Sequence, residues 1–161
     1  MLFRSVMMSF IYQIRELQNG GEFVVLLFLA AWGNDTLAYC TGMLIGKHKM
    51  SPILSPKKSI EGLVGGIVGA AILGALYGLY LNTYIRFSFN PVTMFPIVCG
   101  LGGAVSVIGD LAASAIKRDS GIKDYGTLIP GHGGILDRFD SIIFIAPVIY
   151  YLTVMISGGA I

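Results

Sequence analysis

The sequence predicts an all-α, polytopic integral membrane protein with about four transmembrane helices and an N-terminal apolar segment. Three observations carry that expectation. The chain is 55% hydrophobic and only 12% charged, with a mean hydropathy of +0.76, whereas a soluble domain is about 25% charged. Four apolar runs approach the roughly 20 residues that a helix needs to cross a bilayer. The basic side chains gather in alternate loops, as the positive-inside rule requires of a membrane protein.

The four runs are Phe23–Ile45, Ile60–Leu81, Val92–Ile116 and Phe139–Ile156, read as one membrane domain over 1–161. Residues 1–14 are apolar but carry Arg4 inside the run and lack a small-residue cleavage site. They are expected to form an interfacial helix or the tail of a further span, not a cleaved signal. Lys47, Lys49, Lys57 and Lys58 follow the first run, and Lys117, Arg118, Lys123 and Arg138 follow the third. These are eight of the eleven basic residues, and the loop after the second run has only Arg86. Both basic loops are therefore expected on the cytoplasmic side, facing one another.

In the first run, Asp35 and Tyr39 are four apart on one helix face, with Gly42 and Gly46 continuing it. Asp35 is expected either to line a polar cavity or to neutralise a lysine. In the second run, Gly62, Gly66, Ala70, Gly74 and Gly78 recur every four residues. Such a stripe lets helix backbones approach closely where lipid removes the hydrophobic drive for packing, so its role is scaffold. Ser55-Pro56 before it suits an N-cap followed by proline at the first helical position. Cys40 and Cys99 share no metal-ligand spacing and are expected to be small buried residues.

The polar groups concentrate in the second half. Ser106, Asp110, Ser114 and Lys117 form one stripe on an otherwise apolar helix. A lone carboxylate at mid-span costs roughly 2.5–3.5 kcal/mol, so Asp110 should face a cavity near the cytoplasmic end, or form a structural ion pair with Lys117 or Lys123. Asp137 and Asp140 are three apart at the start of the fourth run, with Ser141 extending their face. Two such carboxylates need a cation between them, and magnesium fits because it takes few carboxylates and keeps positions for phosphate oxygens. Pro130-Gly131-His132-Gly133-Gly134 can wrap a phosphate with free backbone N–H groups. Lys117, Arg118, Lys123, Lys57 and Lys58 supply positive charge nearby. For these basic residues, retention on the cytoplasmic side and contact with anionic lipid is the plainer alternative. No G-x-x-x-x-G-K-[ST] loop, H-E-x-x-H or Ser-His-Asp arrangement is visible.

Ser114-x-x-Lys117-Arg118, Lys123-Asp124, Pro130-Gly-His-Gly-Gly134 and Asp137-Arg138-x-Asp140 together resemble the defining motif of the phosphatidate cytidylyltransferases (CDP-diacylglycerol synthases). Gly109-Asp110, Ser55-Pro-Lys-Lys58 with Glu61-Gly62, and Trp32-x-x-Asp35-x-x-Ala-Tyr39-x-x-Gly42 resemble that family's other blocks. The likeness runs from about Gly20 to the C-terminus and corresponds to the C-terminal catalytic part, so the family's N-terminal spans are expected to be absent. It implies a membrane enzyme making CDP-diacylglycerol and pyrophosphate from CTP and phosphatidic acid, working as a homodimer in the bilayer, with no nucleic-acid partner. It implies magnesium, with a monovalent cation, on Asp110 and Asp137 with Asp140 and Asp124 in support. It further implies phosphate handling by Lys117, Arg118, Lys123, His132 and Arg138, and substrate contacts from Lys57, Lys58, Ser114, Gly133 and Gly134. The resemblance places such an enzyme in a bacterial cytoplasmic membrane with its site facing the cytoplasm. A CTP-dependent lipid-alcohol kinase, a cation transporter and a lipid-binding scaffold are the competing readings. CDP-alcohol phosphotransferases space their aspartates four apart, unlike Asp137 and Asp140.

Overall fold

The computed structural model describes residues 2–51, 55–119, 121 and 136–157, with side chains for these except 2–4, 51, 55–57, 136–138 and 140. Six α-helices and a short antiparallel ribbon run in the order α1 (Leu2–Glu16), α2 (Gly20–Phe28), α3 (Asn34–Ile45), β1 (Lys49–Ser51), β2 (Ser55–Ser59), α4 (Ile60–Tyr84), α5 (Pro91–Asp119) and α6 (Leu136–Ile156). A π-helical turn, Leu29–Gly33, joins α2 to α3, so Gly20–Ile45 is one continuous rod. Among the described residues, three stretches are long and apolar enough to cross a membrane: Gly20–Ile45, Ile60–Tyr84 and Pro91–Asp119. Ser141–Ile156 is a shorter apolar helix.

Helix α4 is the hub, and its small-residue stripe is the reason. Gly62, Gly66, Ala70, Gly74 and Gly78 are all buried. The first half of the stripe receives α3: a Cβ on Gly62 would lie 2.7 Å from the Ala38 carbonyl oxygen. The second half receives α5: a Cβ on Gly74 would lie 2.6 Å from the Phe95 carbonyl oxygen, and one on Gly78 2.6 Å from that of Pro91. Val64, Val68, Ile72, Leu76 and Tyr80, also four apart, stay exposed on the outer face. An apolar face this long belongs in lipid, and the chain is an integral membrane protein.

The segment ends follow local chemistry. Helix α5 starts with Pro91 at its first position, where a missing N–H costs nothing, while the Asn90 side chain accepts from the Val92 N–H at 3.0 Å. Beyond its last turn, the Gly121 N–H donates to the Arg118 carbonyl at 3.0 Å, at a φ of +68° that favours glycine. Helix α1 docks on α6 and α2 with Ile14 fully buried and Phe10 against the Tyr150 ring at 5.4 Å.

Several expectations are corrected. The cap of α4 is Ser59, whose Oγ accepts from the Gly62 N–H at 3.1 Å, while Ser55 and Pro56 sit in β2. A pairing ribbon at residues 49–59 leaves the helix to begin four residues later than Ser55-Pro56 implied. Lys117 and Arg118 lie in the last turn of α5 rather than in a loop, where cations complement the helix dipole. Cys40 is exposed rather than buried, while Cys99 is buried as expected.

Because the nearest atom facing Gly74 is the Phe95 carbonyl oxygen, fixed in the backbone of α5, Gly74→Ala should lower stability by about 1–3 kcal/mol. Gly21→Ala, which meets nothing within 4 Å, should leave it unchanged or slightly raised. Equilibrium unfolding in mixed micelles measures both.

Candidate functional site

A cavity of about 300 Å³ opens at the end of the bundle where the ribbon meets α3, α4 and α5. Asn34, Asp35 and Tyr39 line it from α3, Lys58 from β2, and Val107 and Asp110 from α5. The glycine at position 62 on α4 forms part of the wall, so the close α3–α4 contact leaves the polar groups of α3 turned toward α5.

The central contact is an ion pair. Lys58 Nζ donates to Asp110 Oδ2 at 2.8 Å, across 52 residues of sequence. The side chains are 32% and 18% exposed respectively, so the pair sits at the mouth rather than in a sealed core. Lys123 lies outside the described residues, and Lys58, from the other basic loop, is a cation that meets Asp110. The reason is geometric: β2 returns over the bundle end and delivers Lys58 directly above α5.

Beneath this pair the site is short of partners. Asn34 is fully buried and wedged where a Cβ on Gly66 or Gly103 would lie 2.8 or 3.0 Å from its Oδ1. Its Nδ2 reaches Asp35 Oδ1 at 3.5 Å, a long and weak bond. Asn34 Oδ1 and Ser106 Oγ, one turn before Asp110, are buried without a hydrogen-bond partner among the described residues. Orphaned buried acceptors are rare and cluster where water, ions or ligands complete them. The π-helical turn immediately before Asn34 is itself a feature enriched at functional sites.

The predicted stripe on α5 holds together: Ser106 is buried, and Asp110, Ser114 and Lys117 are half-buried, while Arg118 is exposed. Helix α6 begins at the same end of the bundle, since Phe139 meets Trp32 at 6.3 Å and a Cβ on Gly109 would lie 2.9 Å from Phe144. The backbone of Asp137, Arg138 and Asp140 belongs to that first part of α6, and Lys57 to β2 beside Lys58. Ser141, predicted to extend the aspartate face, is buried. Lys123, Asp124, His132, Gly133 and Gly134 lie outside the described residues. Among the described residues no three acid, histidine or cysteine side chains form a metal cage. Asp110 on an open, partly wet wall instead suits a hard cation that takes one or two carboxylates and completes its shell from water and phosphate.

Asp35 lines the cavity. Two residues that fasten the site carried no expected role. The His48 N–H donates to both Glu61 carboxylate oxygens at 3.3 and 3.2 Å, and His48 Nδ1 lies 2.6 Å from Glu61 Oε1. Glu61 belongs to a block that carries the family resemblance, but with no role attached, and His48, thirteen residues earlier, carries no sequence signal.

The model of the cytidylyltransferase family matches residues 1–156. The chain belongs to the cytidylyltransferase family. Curated relatives in this family include phosphatidate cytidylyltransferases of Staphylococcus saprophyticus, 37% identical over 92% of this chain and 55% of that protein, and Staphylococcus haemolyticus, 36% identical over 91% and 54%. The protein of that name from Staphylococcus aureus strain COL is 39% identical over 90% of this chain and 53% of its own length. The chain thus spans a little over half the length of the curated relatives it matches. The match to this cytidylyltransferase family agrees with the resemblance carried by the motif from Ser114 to Asp140.

Since Lys58 and Asp110 each lose a partner when the other is changed, Lys58→Met and Asp110→Asn should couple. A double-mutant cycle in micelles should give about 0.5–3 kcal/mol of interaction, toward the lower end because both groups keep some solvent contact. Strict additivity would mean the contact contributes nothing.

Proposed function

We propose that this chain transfers the CMP moiety of CTP to phosphatidic acid, giving CDP-diacylglycerol and pyrophosphate. The observation that carries the proposal is the Lys58–Asp110 pair in a polar cavity at the membrane end of an apolar bundle, in a chain of the cytidylyltransferase family. That cavity offers both signs of charge, which a reaction between two phosphates and a divalent cation requires.

In this reading a phosphate oxygen of phosphatidic acid forms a bond to the α-phosphorus of CTP in line, and the α–β bridging P–O bond breaks to release pyrophosphate. The nucleophile is already anionic, so placement and charge compensation outweigh proton transfer. Asp110 and Asp137 would hold magnesium, with Asp140 and Asp124 in support and a monovalent cation alongside. When bound, the metal supplies charge neutralisation on phosphate oxygens. Lys58, Lys117, Arg118, Lys123, His132 and Arg138 bind and orient the phosphates; Lys57, Ser114, Gly133 and Gly134 complete the substrate contacts. Lys58, whose Nζ lies 2.8 Å from Asp110 Oδ2 at the cavity mouth, would exchange that carboxylate for a phosphate oxygen.

The same reading places four spans in a bacterial cytoplasmic membrane: Gly20–Ile45, α4, α5 and α6, with α1 as an N-terminal segment on the bundle. The basic residues at the ribbon end orient the cavity toward the cytoplasm. The headgroup of phosphatidic acid enters there while its acyl chains stay in lipid. The chain forms one membrane domain corresponding to the C-terminal part of its relatives and works as a homodimer.

Purified protein given phosphatidic acid, magnesium and CTP should pass α-label, and no γ-label, into lipid. Asp137→Asn should lower the rate by about 100-fold or more while the protein still inserts. Transfer of γ-label would assign a lipid-alcohol kinase instead, and near-normal CMP transfer by Asp137→Asn would remove that residue from the site.

A further inference from the structure

We propose that Glu61 is a positioning residue that acts through Lys58, by clasping His48 and so fixing the ribbon that presents the lysine. The proposal rests on the reading of the cavity as a phosphate-handling site. Lys58 projects from a two-stranded ribbon, an element of marginal stability alone. The register pairs Lys49 with Ser59 and Ser51 with Ser55, with an irregularity between Lys49 and Ser51. The pairing alone is too short and too irregular to fix a long, flexible side chain. The ribbon must therefore be held from outside.

Two sets of bonds hold it. At the α4 end, Ser59 Oγ accepts from the Gly62 N–H at 3.1 Å, which fixes the residue next to Lys58. At the β1 end, the Ile60 N–H donates to the His48 carbonyl at 3.0 Å. The Glu61 carboxylate then receives the His48 N–H on both oxygens and contacts the ring Nδ1 at 2.6 Å. The chain at residue 48 is thus gripped on its carbonyl and its amide by consecutive residues of the first turn of α4. Close packing supports the grip: a Cβ on Gly46 would lie 2.7 Å from Ser59 Oγ. The clasp is solvent-accessible, with side chains 75% and 23% exposed for His48 and Glu61, so its hold comes from several bonds made together.

A carboxylate in a first helical turn also complements the dipole, and that simpler role makes a different prediction. It depends on charge and leaves Lys58 untouched. The clasp depends on an acceptor of the right reach, which glutamine retains through its amide oxygen.

The test uses the full chain in micelles and two readouts. Acetylation of Lys58 amine, followed by mass spectrometry, reports whether the lysine is held on Asp110 and needs no activity. Steady-state kinetics with CTP and phosphatidic acid report the consequence. Glu61→Ala should raise Lys58 acetylation several-fold and lower kcat by about 10- to 100-fold, the range expected when a reacting group is misplaced from a distance. Glu61→Gln should keep acetylation near wild type and restore most of kcat. His48→Ala, at a 75% exposed side chain, keeps the backbone donor and should raise acetylation by a smaller factor, which serves if Glu61→Ala fails to fold. Unchanged Lys58 acetylation in both alanine variants overturns the proposal. If the wild type makes no CDP-diacylglycerol but acetylation still responds, the clasp stands and the cytidylyltransferase reading fails.

Discussion

A carboxylate carried on an apolar helix must find a cation, and much of this molecule follows from how Asp110 finds one. Its partner is Lys58, brought from the far side of α4 by a ribbon that folds back over the bundle end. An unpaired carboxylate on an apolar helix is costly, and the ribbon places an ammonium 2.8 Å from this one. With it, α3, α5 and β2 are held apart by polar side chains, and the space between them is the cavity. The pair is placed at the cavity mouth, partly solvated, where its net stabilisation is modest and exchange of the lysine onto another anion is cheap.

The rest of the bundle makes this geometry possible by packing tightly elsewhere. In lipid, apolar side chains gain little from meeting one another, so contact must come from close backbone approach. Helix α4 provides it with one stripe that serves two neighbours in turn, α3 along its first half and α5 along its second. The same stripe continues to Gly62 at the cavity wall, so scaffold and site share a single surface. Asn34 shows the cost of this economy: pressed between Gly66 and Gly103, it is buried with an acceptor that no described residue satisfies.

Periodicity made much of this legible. The four-residue spacing of Gly62 through Gly78 foretold the buried face of α4, and of the polar stripe from Ser106 to Lys117, Asp110 lines the cavity. Asp35 was recognisable as an unusual acid, and it lines the cavity. What escaped was whatever depended on contacts between distant segments. Ser55-Pro56 has the local signature of a helix start, but ribbon pairing with β1 claims both residues and passes the cap to Ser59. The contact of Lys58 with Asp110 spans 52 residues, a distance that no local pattern announces. Glu61 belongs to a resembling block, but its clasp on His48 is visible only once the ribbon brings the two together. The motif residues from Lys123 to Gly134 fall outside the described structure, so their place in the site rests on the resemblance.

The central claim is that Asp110 and Asp137, on two neighbouring helices, serve one divalent cation in a cavity that accepts CTP. Manganese, substituted for magnesium and followed by electron paramagnetic resonance on the purified protein, tests it without turnover. The account predicts a bound-manganese signal strengthened by CTP and lost in both Asp110→Asn and Asp137→Asn. Undiminished manganese binding with CTP in either variant would contradict it.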